Sequence, residues 1–109
     1  MAYDEDLADR IRSLVAREQP VEKKMFGGLA FLIGGNMSVA ASGQGGLMVR
    51  VPPEETDALL REPGAEVFEM RGRSMPGWLR VQGPVLDDDK VLKAWVGRGV
   101  AYAKSLPPK

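Results

Sequence analysis

The chain has 109 residues and a mass of 11.9 kDa, room for a single domain expected to span 1–109. It contains no cysteine and no histidine, which excludes disulfides, thiolate nucleophiles and cysteine-bound zinc, and removes the commonest general base and metal ligand. Its 15 basic and 15 acidic residues cancel, so the large positive excess typical of a nucleic-acid-binding domain is missing.

The first residues, Met1-Ala2-Tyr3-Asp4-Glu5-Asp6, are acidic and polar, unlike a signal peptide, and the longest apolar run is Leu29-Ala30-Phe31-Leu32-Ile33. A cytoplasmic protein without a membrane span is expected. Residues 4–17 read as an amphipathic helix. Leu7, Ile11, Leu14 and Val15 recur on one face, the acids at its start suit the helix dipole, and Pro20 lies just past its end.

Residues 21–51 read as strand-rich. Gly27-Gly28 breaks the first segment, and 29–33 is apolar on both faces, as in a central strand. Gly34-Gly35-Asn36 supplies a hairpin turn; beyond it Met37, Val39 and Ala41 alternate with Ser38 and Ala40. After the loop 42–46, Leu47, Val49 and Val51 alternate with Met48 and Arg50. Short turns give a three-strand antiparallel meander. The glycines of the 42–46 loop precede a strand, so they read as a hairpin turn and not as a phosphate loop before a helix.

Pro52-Pro53 ends this stretch, and 54–61 is expected to be a short helix. Two further strands are expected near 66–71 and 78–82, with a turn around Pro76-Gly77 between them. Ser74, in Arg71-Gly72-Arg73-Ser74, reads as a turn serine; no histidine is present to activate it and no G-x-S-x-G elbow surrounds it. Asp87-Asp88-Asp89 has the carboxylates of a hard-cation site, yet it precedes a helix over 88–104, where Asp87 serves as the N-cap. That helix turns Val91, Leu92, Trp95 and Val96 to one face, and Gly97 and Gly99 suggest tight packing. Residues 105–109 are expected to form a loose tail around a core of 4–104. The class is therefore α+β: a meander plus two further strands, with N- and C-terminal helices packed on the sheet.

Lys23, Lys24, Arg50, Arg71, Arg73 and Arg80 would form a basic surface if the meander and later strands lie side by side, with Trp78 as a stacking group. Interspersed Glu22, Glu66 and Glu69 give the alternative of a solvated sheet face.

Met25-Phe26-Gly27-Gly28 follows the first helix and Glu22-Lys23-Lys24. Downstream come an apolar strand, the Gly-Gly-Asn turn, Leu47-Met48-Val49-Arg50-Val51, Leu86-Asp87-Asp88 and a tryptophan-bearing helix. From about residue 5 to 104 this pattern resembles the N-terminal domain of the TfoX/Sxy family, associated with regulation of DNA-uptake competence in bacteria. The resemblance implies an antiparallel α+β domain and, for the competence regulators, transcriptional coactivation alongside the cyclic-AMP receptor protein. Those regulators carry a second domain; this chain is expected to be a stand-alone member. The family supplies no catalytic residues. Met25, Phe26, Gly27 and Gly28 read as an architectural motif, the glycines permitting a sharp bend or close backbone approach.

The expected function is a non-enzymatic regulatory interaction domain without cofactor or metal, its partner another protein, with a homodimer left open. The alternative is direct nucleic-acid binding through the basic sheet face.

Overall fold

The structure, a computed structural model, describes residues 3–25, 27–43, 45–70 and 72–108. Helix α1 (Glu5–Val15) leads into strands β1 (Val21–Met25), β2 (Gly28–Ile33), β3 (Asn36–Ala41) and β4 (Leu47–Arg50). A 3-10 turn and the short helix α2 (Thr56–Leu59) follow, then β5 (Ala65–Met70), β6 (Arg73–Val81) and α3 (Asp89–Ser105). The sheet is fully antiparallel, in the order β1-β2-β3-β4-β6-β5. The α+β expectation holds.

Asp4 caps α1: its Oδ1 accepts from the Asp6 and Leu7 amides at 2.9 and 3.2 Å, an arrangement that contributes about 1 kcal/mol. The helix buries Leu7, Ala8, Ile11 and Val15. Leu14, expected in this stripe, is 39% exposed, because the buried stripe runs Leu7-Ile11-Val15 with Ala8 beside it. Helix α3 starts one residue later than expected. Asp88, not Asp87, is its N-cap and accepts from the Lys90 amide at 2.8 Å, while Asp87 closes the preceding 3-10 turn.

Leu92, Trp95 and Val96 of α3 join the α1 stripe over Leu29, Phe31, Val39, Ala41, Leu47, Val49, Leu79 and Val81, which face them from the sheet. Both helices therefore lie on one face, and this is the main core. Of the two α3 glycines expected to pack tightly, only Gly99 does. A Cβ there would stand 2.5 Å from the Ser38 carbonyl oxygen, whereas Gly97 has nothing within 4 Å.

Three features depart from the sequence reading. The meander has four strands, because 21–25 pairs with β2 along its length. Val-Glu-Lys-Lys-Met has no apolar alternation, since every residue but Met25 is exposed on this edge. Second, a bulge lies in β3: Phe31 opposes Val39 while Leu32 opposes Met37, so Ser38 is the extra residue, its hydroxyl donating to the Phe31 carbonyl at 2.8 Å. Met37 is thereby turned to the face opposite Val39 and Ala41. Third, the β5–β6 turn lies at Gly72 (φ 78°), with Met70 opposite Arg73, and not at Pro76-Gly77. Pro76 and Gly77 fall inside β6, where the register shifts between Val67 and Glu69. An irregular stretch of ladder tolerates proline. Gly77 (φ 85°) donates to Thr56 Oγ1 at 3.0 Å and accepts from the Val51 amide at 2.8 Å, tying the β6 bulge to the start of α2.

Candidate interaction face

The register sets one continuous row of side chains across the sheet face that bears no helix: Lys23, Ala30, Ala40, Met48, Arg80 and Glu66, from β1 to β5. Beside it run Val21 opposite Leu32 and Leu32 opposite Met37, and then Arg50 opposite Trp78. Ala30, Met37, Ala40 and Met48 are buried there, with Met25, Leu32, Phe68 and Trp78 partly buried around them. Every member of this second apolar cluster comes from a strand. Two alanines give no height, so the larger side chains lean over them. Three methionines supply flexible, polarisable surface that adapts to what it touches.

Of the Met-Phe-Gly-Gly segment, Met25 ends β1 and Gly28 begins β2. Phe26 lies outside the described residues. Met25 joins the open-face cluster, opposite Gly28. Gly27 has φ 76°, and a Cβ on Gly28 would stand 2.2 Å from the Ala41 carbonyl oxygen and 2.9 Å from the Gly43 amide nitrogen. The turn therefore presses backbone to backbone against the end of β3, which only glycine permits at Gly28.

The described basic residues do not gather. Lys23 is on the open face of edge strand β1, while Lys24, opposite Leu29, faces the helix side. Arg80 is engaged internally. Its Nε and Nη2 donate to the Gly45 carbonyl at 3.3 and 3.1 Å, and its Nη1 lies 3.7 Å from Glu66, which also accepts from Gln82 at 2.9 Å. Arg50, at the end of β4, has its guanidinium 5.5 Å from the ring centres of both Trp78 and Tyr102. Arg71 lies outside the described residues, as does the side chain of Arg73. Lys23 and Arg50 are three strands apart and one pleat offset, roughly 16 Å. Glu22, opposite Phe31, belongs to the helix side.

On that helix side Glu22 accepts both Nε and Nη2 of Arg12, the latter at 2.9 Å, joining β1 to α1. The hydrogen bond from Arg12 lowers the Glu22 carboxyl below its ordinary value, with burial opposing.

Among the described residues, two concavities lie elsewhere. One of about 300 Å³ separates α2 from α3, lined by Val51, Leu59, Arg98 and Tyr102; Arg98 stacks on Trp95 and faces Glu62 at 3.9 Å. The other, of about 530 Å³, lies between the α1 start and the Gly45-Gly46 loop. Its Asp4 is spent on the helix cap, and its Arg10 pairs with Asp89 at 2.9 Å. Asp4, Arg10 and Arg98 therefore serve the fold. Among the described residues no three acidic side chains converge in a way that could hold a metal ion, and no helix is long and apolar enough to cross a membrane.

An antiparallel sheet with helices on a single face, its first hairpin closed by a double glycine against the third strand, defines a small α+β domain with one open sheet face. The TfoX N-terminal domain family matches residues 13–103, and the chain belongs to that family. No curated protein matches the chain.

The sequence reading found Met25, Trp78 and the cations, but it missed Leu32, Met37, Met48 and Phe68 as one surface. The available signal was the excess of apolar strand positions over helical faces to cover them: β2 is apolar throughout, so one of its sides must lie away from α1 and α3.

Proposed function

We propose that the chain is a non-enzymatic, cytoplasmic protein-interaction domain with a regulatory, transcription-linked role, and that it docks its partner on the open face of the sheet. One observation carries this reading: a second apolar cluster, Met25, Leu32, Met37, Met48, Phe68 and Trp78, is built wholly from strands and bears no helix. Its centre, Ala30, Met37, Ala40 and Met48, is already buried, so what it offers a partner is the part-exposed rim of Met25, Leu32, Phe68 and Trp78 with exposed Val21 beside it. Apolar side chains gathered at the surface mark an interaction site. Family membership supports the regulatory part, since the competence regulators with this domain act in transcription. Missing histidine and cysteine support a role without catalysis.

Nucleic-acid binding through the described cations is the weaker reading. Its footprint required clustered cations, yet Lys24 faces the helices and Arg80 is held by Gly45 and Glu66. A few scattered phosphate contacts give only weak, salt-sensitive affinity.

The test is affinity capture from the native cytosol with the parent chain, with Leu32→Glu, and with a helix-side control, Lys93→Glu. A partner held by the parent and the control but lost with Leu32→Glu is expected. A partner retained equally by all three, or one released by nuclease, contradicts the proposal.

A further inference from the structure

Going beyond that reading, we infer that the free edge of β1 pairs antiparallel with β1 of a second copy of this chain, about a two-fold axis at Lys23. The strand stands at one end of the sheet order and is paired on one side only, with β2. Val21, Glu22, Lys23 and Lys24 are all exposed, and Val21, at 63%, is the most exposed large apolar side chain among the described residues. Every second residue of such a strand turns its N–H and C=O outward, which makes the edge a template for another strand.

The residues of the edge select a second copy because they complement themselves. A two-fold axis perpendicular to the sheet sets residue i of one copy opposite residue j of the other, and j opposite i, on the same face. Centred on Lys23, Val21 meets the second copy's Met25 on the open face, and Glu22 meets the second copy's Lys24 on the helix side, each pair occurring twice. Directly opposed side chains stand about 5 Å apart at Cβ, within reach of an ion pair. Lys24 has no carboxylate partner among the described residues. Glu22 is held by Arg12 of its own chain, yet its side chain stays 34% exposed, and a carboxylate has lone pairs for a second cation.

Only Lys23 faces its own counterpart, on the exposed edge, where its long stem lets the charge swing into solvent. Lysines on an edge ordinarily guard against pairing. Here they choose the register. With the axis moved to Glu22 or to Lys24, a like charge meets its own copy there and both ion pairs are lost. A shift by one residue sets open-face side chains against helix-side ones. A five-residue ladder is a small interface, so the dimer is weak and forms with rising concentration. It covers the exposed Val21 of each copy and sets the two open faces side by side.

The probe is the full chain itself. Sedimentation of samples from micromolar to millimolar is expected to show a reversible passage from monomer to dimer, and amide exchange within 21–25 is expected to slow over the same range. Lys24→Glu and Glu22→Lys are each expected to weaken the dimer by about fivefold or more, since each sets like charges opposite one another. An equimolar mixture of the two variants is expected to restore it, because one copy then carries both positive charges and the other both negative. Lys23→Val is expected to tighten the dimer by about threefold or more, by removing the repulsion on the axis. Should Glu22→Lys, which also gives up the Arg12 contact, fail to fold, Lys24→Glu and Lys23→Val still test the register by their opposite signs. A monomer at every concentration, a dimer indifferent to these substitutions, or a mixture of folded variants that does not recover overturns the inference. A chain that stays monomeric, yet whose 21–25 amides are protected by an added extended acidic peptide, gives the edge to a partner's strand and overturns it too. None of these outcomes touches docking on the open face, which Leu32→Glu tests separately.

Discussion

The two faces of the six-stranded sheet are made from the same strands by different rules. On the covered face, branched and aromatic side chains such as Phe31, Val39, Val49 and Leu79 are wholly buried beneath α1 and α3. On the open face, small and flexible ones, Ala30, Ala40, Met37 and Met48, are buried beside the part-buried Met25, Leu32, Phe68 and Trp78. The first pattern specifies one rigid packing. The second keeps water off the backbone while leaving a surface that can reshape against a partner. One face holds the fold together, and the other is free to carry a function.

Substitutions should break this symmetry in a graded way. The largest contrast is between the two tryptophans. Trp95→Ala, in the covered core, is expected to cost about 3–5 kcal/mol, because it leaves a large cavity. Trp78→Ala, partly buried on the open face, is expected to cost about 1–2 kcal/mol and to keep a cooperative fold. Denaturant unfolding of both variants measures the difference; equal losses would mean that the open face is a second structural core.

The next effect concerns the glycines that let backbone meet backbone. Gly99→Ala drives a Cβ toward the Ser38 carbonyl and should destabilise by about 1–3 kcal/mol. Gly97→Ala, two residues away and in open space, should instead stabilise by up to about 1 kcal/mol through helix propensity. Gly28→Ala, aimed at the Ala41 carbonyl, should lose at least as much as Gly99→Ala. Thermal melts of the three variants would expose a wrong account of how closely α3 and the first hairpin press on β3, because the signs must differ.

The smallest effect is electrostatic. The Glu22 carboxyl is held below its ordinary value by Arg12 on the covered side. Its contribution is fully present above the ordinary glutamate value of 4.5 and is lost as the pH falls through the lowered value of the folded state. The pair is solvent-screened, so Glu22→Gln is expected to lower Tm by only a degree or two near neutral pH. The gap between parent and variant should narrow as the melts are taken into acid; a gap that widens there would contradict the assignment.

What the sequence revealed follows the same division. Helices α1 and α3 were legible because their apolar spacing, Leu7-Ile11-Val15 and Leu92-Trp95-Val96, is imposed by a single buried side. The α+β class and the hairpins at Gly34-Gly35 and 42–46 were legible from turn chemistry. Strand β1 was not, since an edge strand facing solvent leaves no alternation in Val-Glu-Lys-Lys-Met. Nor was the open face. The Ser38 bulge moves Met37 across the sheet without any trace in the pattern of residues, and the β6 irregularity at Gly77 looks, in sequence, like the turn that Gly72 in fact makes. Whether cations cluster depends on strand order. That order places Lys23 at one edge and Arg80 four strands away.

The central claim is that the open sheet face docks a protein. Its most direct test is a methionine-methyl NMR spectrum of the isotope-labelled chain, recorded with and without unlabelled native cytosol cleared of nucleic acid by nuclease. Met37 and Met48 would be assigned from leucine variants. The account predicts that their signals, with that of Met25, shift or broaden in the nuclease-treated cytosol, and that Leu32→Glu abolishes the change. Signals that stay unperturbed there, or that respond only when nucleic acid is left in place, would contradict it.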